Sequence, residues 1–313
     1  MFHTDLRGGI KLLEIYKLKE GPMQRFKSES LNSAIEESYV KFENYKIKIF
    51  DESKDTVYIY FSSNGLYFPD EINVFRHTIF ERNYFEWENL SNHSVVASNT
   101  NKAIFVRDVW KSWYVNGINA QLNTQDKLAD FLKTICERKK IVTVGVSAGA
   151  TAAILFGCLL KADRIVAFSP QIDLHLSNEQ GAISCFDEIA GDEILSKYLD
   201  LRPLIETYTG NLICVFPNGN FKDNSQYSLI SDNPNIKFFV CKSKSHGVVL
   251  YPESIAILIG GSDDDIISLY EYFKIHKCSP SRVLMKTNGR IFTYKYISKS
   301  FVKKVVRKIK KYL

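Results

Sequence analysis

The feature that most constrains the fold is a Gly-x-Ser-x-Gly motif, Gly145 to Gly149, which lies between two apolar segments. The run Ile141 to Val144 is typical of a buried strand, and Ala150 to Leu160 has the composition of a helix. A strand that passes directly into a helix needs a sharp turn, and the flanking glycines permit one. The pattern therefore predicts Ser147 at the apex of a strained turn, with its hydroxyl exposed as a nucleophile. The alternative is a tight turn with an inert serine.

Short apolar runs alternate with helix-like segments along most of the chain. Runs that are apolar throughout, rather than at every second position, are typical of a parallel sheet covered by helices on both faces. We therefore predict an α/β fold with a mostly parallel central sheet. The predicted strands are Thr56–Ser62, Ala103–Val106, Ile141–Val144, Arg164–Phe168, Leu212–Phe216 and Ile236–Val240, and the predicted helices include one capped by Thr124 and one from Asp263 to His276. Alternating apolar residues also predict a hairpin in Tyr39–Phe50, turning at Glu43-Asn44.

Three regions are predicted: an N-terminal extension (1–38), an α/β domain (39–298) with a cap at about 171–208, and a basic amphipathic tail (299–313). Apolar residues recur at helical spacing from Phe301, and residues 303–311 carry six bases and no acid. Such a helix fits an anionic membrane surface, and it equally fits a terminal helix docked on the body. Without these bases the chain is close to neutral, so we expect no nucleic-acid partner.

The cysteines and the N-terminal sequence bear on the compartment. The six cysteines include no CxxC pair and are scattered along a long chain, which favours reduced thiols and gives no metal site. The first residues lack a cationic segment followed by an apolar core, and no apolar run approaches the ~20 residues that span a bilayer. We expect a cytoplasmic protein, either free or peripheral at the inner membrane face through residues 301–313.

A serine nucleophile needs a base that takes its proton. Three histidines follow Ser147, namely His175, His246 and His276. His246 comes directly after the strand Ile236–Val240, where the base of a catalytic triad belongs, and a glycine follows it. His276 ends a predicted helix, where a solvated or capping role fits, and His175 lies in the cap. We therefore predict His246 as the base, against the alternative of an ordinary loop histidine.

The base in turn needs a carboxylate that orients it. Asp223 ends the loop after the strand Leu212–Phe216, between the serine and the histidine in chain order, and is the candidate. Its alternative role is to cap a helix that begins near Ser225. Asp232 and Asp173 are the reserve candidates.

Acyl transfer also needs two N–H donors that bind the developing oxyanion. The residue after the nucleophile, Ala148, is predicted to supply one backbone N–H. The loop after the strand Thr56–Ser62 is predicted to supply the other, from Ser63 or Asn64. This loop is not of the HGGG type.

The chain from Thr56 to Gly247 resembles the α/β-hydrolase superfamily through the strand followed by Ser63-Asn64-Gly65, the serine motif, Asp223 and His246. More narrowly, it resembles α/β-hydrolase proteins of bacterial surface-polysaccharide loci, among them capsule O-acetyltransferases with a Ser-Asp-His triad. The strings that carry this resemblance are GVSAGATAAILFG (145–157), AFSPQ (167–171) and Trp113-Tyr114. The resemblance implies an α/β-hydrolase fold, acyl chemistry on a glycan and acetyl-CoA as a candidate donor. No P-loop or Rossmann fingerprint, and no other cofactor motif, supports that donor independently.

Two classes of function follow. In the first, Ser147 forms an acyl-enzyme that is released to a sugar hydroxyl (O-acetyltransferase) or to water (esterase or deacetylase), and we favour the transferase. In the second, the chain is a non-catalytic glycan-binding protein on a hydrolase scaffold. An intact Ser, Asp and His in this order argues against the second class.

Overall fold

The structure is a computed structural model that describes residues 26–179 and 189–299. Most of the predicted N-terminal extension, the centre of the predicted cap and the amphipathic tail from Phe301 lie outside the described residues. Among the described helices, none is long and apolar enough to cross a bilayer.

Seven strands of the described chain form a single sheet. They are β1 (Tyr45–Ile49), β2 (Thr56–Phe61), β3 (Thr100–Val106), β4 (Lys140–Val146), β5 (Arg164–Phe168), β6 (Asn211–Pro217) and β7 (Ile236–Cys241). The order across the sheet is β1-β3-β2-β4-β5-β6-β7. Every neighbouring pair is parallel except β1 and β3, so an antiparallel strand forms one edge. The predicted parallel sheet is confirmed, and the carboxyl ends of β2 to β7 meet at one sheet edge, where open α/β sheets form their sites.

Helices cover both faces of the sheet, as the apolar strands predicted. Along β2, Val57, Ile59 and Phe61 pack into one buried cluster, which includes Phe156. The intervening Tyr58 and Tyr60 pack into a cluster on the other face. The α-helices are α1 (Glu29–Lys41), α2 (Ile72–Phe75), α3 (Glu88–Ser91), α4 (Ser94–Ala97), α5 (Gln125–Cys136), α6 (Ala148–Leu159), α7 (Leu174–Glu179), α8 (Arg202–Thr207), α9 (Phe221–Ser228), α10 (Pro252–Gly260), α11 (Asp263–Ile275) and α12 (Pro280–Asn288). A π-helix (Arg76–Glu81) and a 3-10 helix (Leu195–Tyr198) complete the set, and residues 290–299 are helical.

The sequence correctly predicted the start of α5 but not the end of α1. Thr124 caps α5 as predicted, because its side chain accepts a hydrogen bond from the Lys127 N–H. The predicted hairpin in Tyr39–Phe50 is wrong, since α1 extends to Lys41 and β1 pairs with β3 instead. Helix α1 also crosses the predicted boundary at residue 38. Its buried side chains, among them Leu31 and Ile35, pack with residues of the domain.

The expectation that all cysteines are reduced is wrong for one pair. Cys241, at the end of β7, and Cys278 form a disulfide, with their Cα atoms 4.6 Å apart. They are separated by 37 residues in the sequence, so no local spacing pointed to them. Cys136 is a buried free thiol, and burial raises its pKa to about 12.

Candidate active site

Ser147 lies at the apex of the turn between β4 and α6, as the motif predicted. Its φ of 55° and ψ of −125° are strained for a residue with a side chain, and its N–H donates to the Phe168 carbonyl at 2.8 Å. Both flanking glycines are needed for space. A Cβ on Gly145 would lie 1.9 Å from the Gly149 carbonyl oxygen, and one on Gly149 would lie 2.3 Å from the Phe61 carbonyl oxygen. The turn is therefore packed against the end of β2.

The three residues predicted as a triad form one chain of hydrogen bonds. The Nε2 atom of His246 lies 2.8 Å from the Ser147 Oγ. Its Nδ1 atom lies 2.9 Å and 3.1 Å from the two carboxylate oxygens of Asp223. The Asp223 side chain is only 2% exposed, whereas that of His246 is 39% exposed. The carboxylate is thus shielded from water and faces the imidazole, an arrangement that holds the ring in one orientation.

Asp223 keeps its carboxylate for His246 because another residue caps its helix. Helix α9 begins at Phe221, and the Asn220 side chain accepts the hydrogen bond from the Asp223 N–H at 3.2 Å. The alternative role of Asp223 as the helix cap is therefore filled by Asn220. Neither reserve acid has a hydrogen bond to His246: Asp173 contacts Arg202 at 3.5 Å, and Asp232 is exposed.

The loop that carries His246 is held by Ser169, a residue that the sequence did not single out. The Gly247 N–H donates to the Ser169 Oγ, which in turn donates to the Gly247 carbonyl, both at 3.1 Å. Ser169 is completely buried and directly follows β5. Gly247 has a φ of +98°, a value that favours glycine. Ser169 therefore fixes the backbone next to the base from a neighbouring strand end.

The predicted oxyanion donors lie on two segments, the start of α6 and the loop after β2. Ala148 is the first residue of α6, where helix N–H groups have no partner within the helix and favour negative charge. Of the two candidates for the second donor, Ser63 already donates its N–H to the Glu86 carboxylate at 2.6 Å. The Asn64 N–H has no acceptor among the described residues, while its side chain donates to the Lys111 carbonyl. The Ser63 N–H is therefore already used by Glu86, whereas that of Asn64 is not.

Glu86 is a second residue that the sequence did not single out. Besides the Ser63 N–H, its carboxylate accepts the Ser63 hydroxyl at 3.0 Å. The next residue, Trp87, donates its indole N–H to the Phe61 carbonyl at 3.2 Å. Burial raises the pKa of Glu86, and this effect outweighs the hydrogen bonds from Ser63, which lower it. Residues 86–87 thus fix the end of β2 and the loop that presents Asn64.

One aromatic side chain, that of Trp113, packs beside the start of α6. Trp113 is buried in a cluster with Ala148, Leu174 and Leu199. Its indole N–H donates to the Gln171 Oε1 atom at 3.0 Å. Trp113 and Ala148 thus belong to one small buried apolar cluster at the start of α6. Of the other two candidate histidines, His175 is exposed on α7 and His276 is exposed after α11.

A mostly parallel sheet with an antiparallel edge strand, together with a serine on a strained strand-to-helix turn, defines an α/β-hydrolase fold. No protein-family model matches the sequence, and no curated protein matches it.

Solved structures with this type of fold show low identity to the chain. The capsule O-acetyltransferase of Neisseria meningitidis serogroup A is 14% identical over 75% of this chain and 91% of that chain, with a TM-score of 0.46. Acetyl xylan esterase 1 from Thermoanaerobacterium sp. is 15% identical over 78% and 93% of the two chains, with a TM-score of 0.39. MenH from S. aureus is 12% identical over 74% and 98%, also with a TM-score of 0.39. At such identities the likeness concerns the fold alone.

Proposed function

We propose that this chain is a serine acyl-transfer enzyme in which Ser147, His246 and Asp223 act as a catalytic triad. The observation that carries the proposal is the unbroken series of hydrogen bonds from the Ser147 Oγ through both ring nitrogens of His246 to the buried Asp223 carboxylate. A serine that merely filled a tight turn would need neither partner.

The geometry supports a two-step reaction. As the Ser147 Oγ attacks an acyl carbonyl, its proton passes to the His246 Nε2, and Asp223 stabilises the resulting imidazolium. The N–H groups of Ala148 and Asn64 bind the oxyanion. The protonated His246 then gives its proton to the leaving group, which leaves an ester on Ser147. In the second step His246 takes a proton from the acceptor hydroxyl, which attacks this ester. As the bond between the acyl carbon and the Ser147 Oγ breaks, His246 returns the proton to that oxygen and Ser147 is regenerated.

We propose a sugar hydroxyl of a bacterial surface polysaccharide as the acceptor and acetyl-CoA as the donor. This choice rests on the sequence resemblance around residues 145–157 and 167–171.

A hydrolase is the second candidate, and one observation favours it. The His246 side chain is 39% exposed, so water reaches the base that would activate the acceptor. An esterase or deacetylase transfers the same acyl group to water, and a transferase must exclude water or outcompete it.

Labelling with a fluorophosphonate probe tests the shared chemistry. We expect covalent labelling at Ser147, loss of labelling in Ser147→Ala, and normal labelling in Ser98→Ala. Ser98 is an exposed serine just before the amino end of β3, whereas Ser147 follows the carboxyl end of β4. A wild-type chain that folds but is not labelled would refute the proposal and leave the non-catalytic class.

Transfer and hydrolysis are then separated by supplying acetyl-CoA with candidate glycans and following acetyl groups by mass spectrometry. Acetylated glycan that forms with wild type and not with Ser147→Ala supports the transferase. Loss of acetyl-CoA without a gain in the glycan indicates hydrolysis.

A further inference from the structure

The chain has no acidic residue from residue 272 onward. Thirteen of its 41 basic residues and none of its 35 acidic residues lie in residues 272–313. The preceding 271 residues therefore carry a formal charge of −7, although the whole chain carries +6. Seven of these bases lie in the described residues 272–299, and all seven are exposed. They are Lys274, Lys277, Arg282, Lys286, Arg290, Lys295 and Lys299.

Large apolar side chains stand exposed among these bases. Ile275 is 80% exposed, Ile291 is 75% exposed and Tyr294 is 67% exposed, and Phe292 is exposed to a smaller extent. Exposed apolar residues also occur elsewhere, for example Phe68, but Asp70 and Glu71 lie close to it in the sequence. Within the described chain, residues 272–299 combine four exposed large apolar side chains with seven exposed bases and no acid.

The helical residues 290–299 have one face that packs on the body and one that does not. Thr293 is buried, and the Tyr296 ring lies 5.6 Å from that of Tyr251, just before α10. Ile291, Tyr294 and Lys295 are spaced three and four positions apart, so they share a face. All three are exposed. This outward face therefore carries apolar, aromatic and basic side chains together.

We propose that residues 272–299 form a peripheral docking surface for an anionic phospholipid bilayer. Lysine and arginine are attracted to anionic headgroups, and exposed isoleucine and tyrosine enter the boundary between headgroups and acyl chains. The sequence continues with six more bases in residues 303–311. A soluble polyanion, such as a nucleic acid or an acidic glycan, would use the bases and leave the isoleucines without a role. A second copy of the chain that docked through this same surface would bring seven positive charges against seven.

Vesicle sedimentation of the full-length chain tests this surface. We expect binding to vesicles of phosphatidylcholine with phosphatidylglycerol, little binding to pure phosphatidylcholine, and a decrease as salt is added. The double variant Ile275→Ser with Ile291→Ser should bind anionic vesicles at least about tenfold more weakly, since each side chain gives up apolar contact with lipid. Lys295→Glu with Lys299→Glu should also weaken binding.

A matched control comes from the other edge of the sheet. Ile49 is 52% exposed on β1, next to Asp51 and Glu52, and Ile49→Ser should bind vesicles as the wild type does. Ser147→Ala should also bind normally, so failure of the proposed chemistry and failure of this surface are distinguishable. Circular dichroism and thermal melting show that each variant is folded.

Three results would overturn the proposal. The first is no difference between anionic and neutral vesicles. The second is unchanged binding of the isoleucine double variant together with equally strong binding to heparin, which would identify a soluble polyanion as the partner. The third is the absence of vesicle binding together with concentration-dependent dimerisation in size-exclusion chromatography that the isoleucine double variant abolishes. That result would identify a second copy of the chain as the partner.

Discussion

The substitution Asp223→Asn tests the candidate triad most sharply, because it changes one charge and almost no volume. Both carboxylate oxygens lie within reach of the His246 Nδ1, at 2.9 and 3.1 Å. Whichever way the new amide is turned, an NH₂ group lies next to Nδ1. Such a donor favours the tautomer that carries its proton on Nε2. That nitrogen then cannot accept the proton of the Ser147 hydroxyl, 2.8 Å away.

The expected loss is large for the reaction and small for the fold. In serine proteases with the same arrangement this substitution lowers kcat about 10⁴-fold, which corresponds to ~5.4 kcal/mol at ~1.36 kcal/mol per factor of ten. Folding loses one charge-assisted hydrogen bond, which contributes ~1.5–3 kcal/mol. We therefore expect a folded variant in which labelling by a fluorophosphonate and hydrolysis of p-nitrophenyl acetate are nearly abolished.

The two reserve acids provide the controls. Asp232→Asn and Asp173→Asn should keep labelling rates close to wild type, since neither side chain has a hydrogen bond to His246. If Asp223→Asn keeps a labelling rate within tenfold of wild type, or if one of the controls loses it instead, the role given to Asp223 is refuted.

Three further changes test the surroundings of the triad. Gly149→Ala places a Cβ 2.3 Å from the Phe61 carbonyl, so urea denaturation should show a loss of ~1–3 kcal/mol, along with slower labelling. Ser169→Ala leaves the N–H and carbonyl of Gly247 unpaired; kcat should fall with KM nearly unchanged, and an equal change in both would contradict a positioning role. Glu86→Gln tests a pH effect. Because the folded pKa of Glu86 is raised above its ordinary value of 4.5, the folded chain holds this proton more tightly. Its contribution to stability is present below that value and lost as the pH rises through the folded pKa. The stability of the variant relative to wild type should therefore increase from acid to neutral pH, and thermal melts across that range measure it.

Much of the sheet was predictable because a strand that is buried on both faces has a continuous run of apolar residues. The strands β2, β4, β5, β6 and β7 consist largely of apolar residues, and each was placed to within two residues of its observed ends. The edge strand β1 was harder to place. Its residues alternate between partly buried and exposed. Apolar residues two positions apart, Val40 and Phe42, also occur across the end of α1, which explains why a hairpin was predicted there.

The members of the candidate triad were predictable from chain order, but their supports were not. In a parallel sheet the loops after successive strands meet at one edge, so Ser147 and His246 could be expected to approach each other. The partners of Ser169 and Glu86 lie 78 and 23 residues away in the sequence. A hydrogen bond between two loops depends on their backbone paths, and no periodicity or motif encodes those paths.

The choice between Ser63 and Asn64 shows where sequence reasoning stops at this site. Both residues follow β2, and both have a backbone N–H, so their side chains give no reason to prefer one. The difference between them comes from a carboxylate more than twenty positions further along the chain, since Glu86 accepts the N–H of Ser63 and not that of Asn64. The same holds at Asp223, where the rule that aspartate caps helices applies equally well to Asn220. Only the observed start of α9 shows that Asn220 is the cap, and a carboxylate freed from capping can orient a histidine.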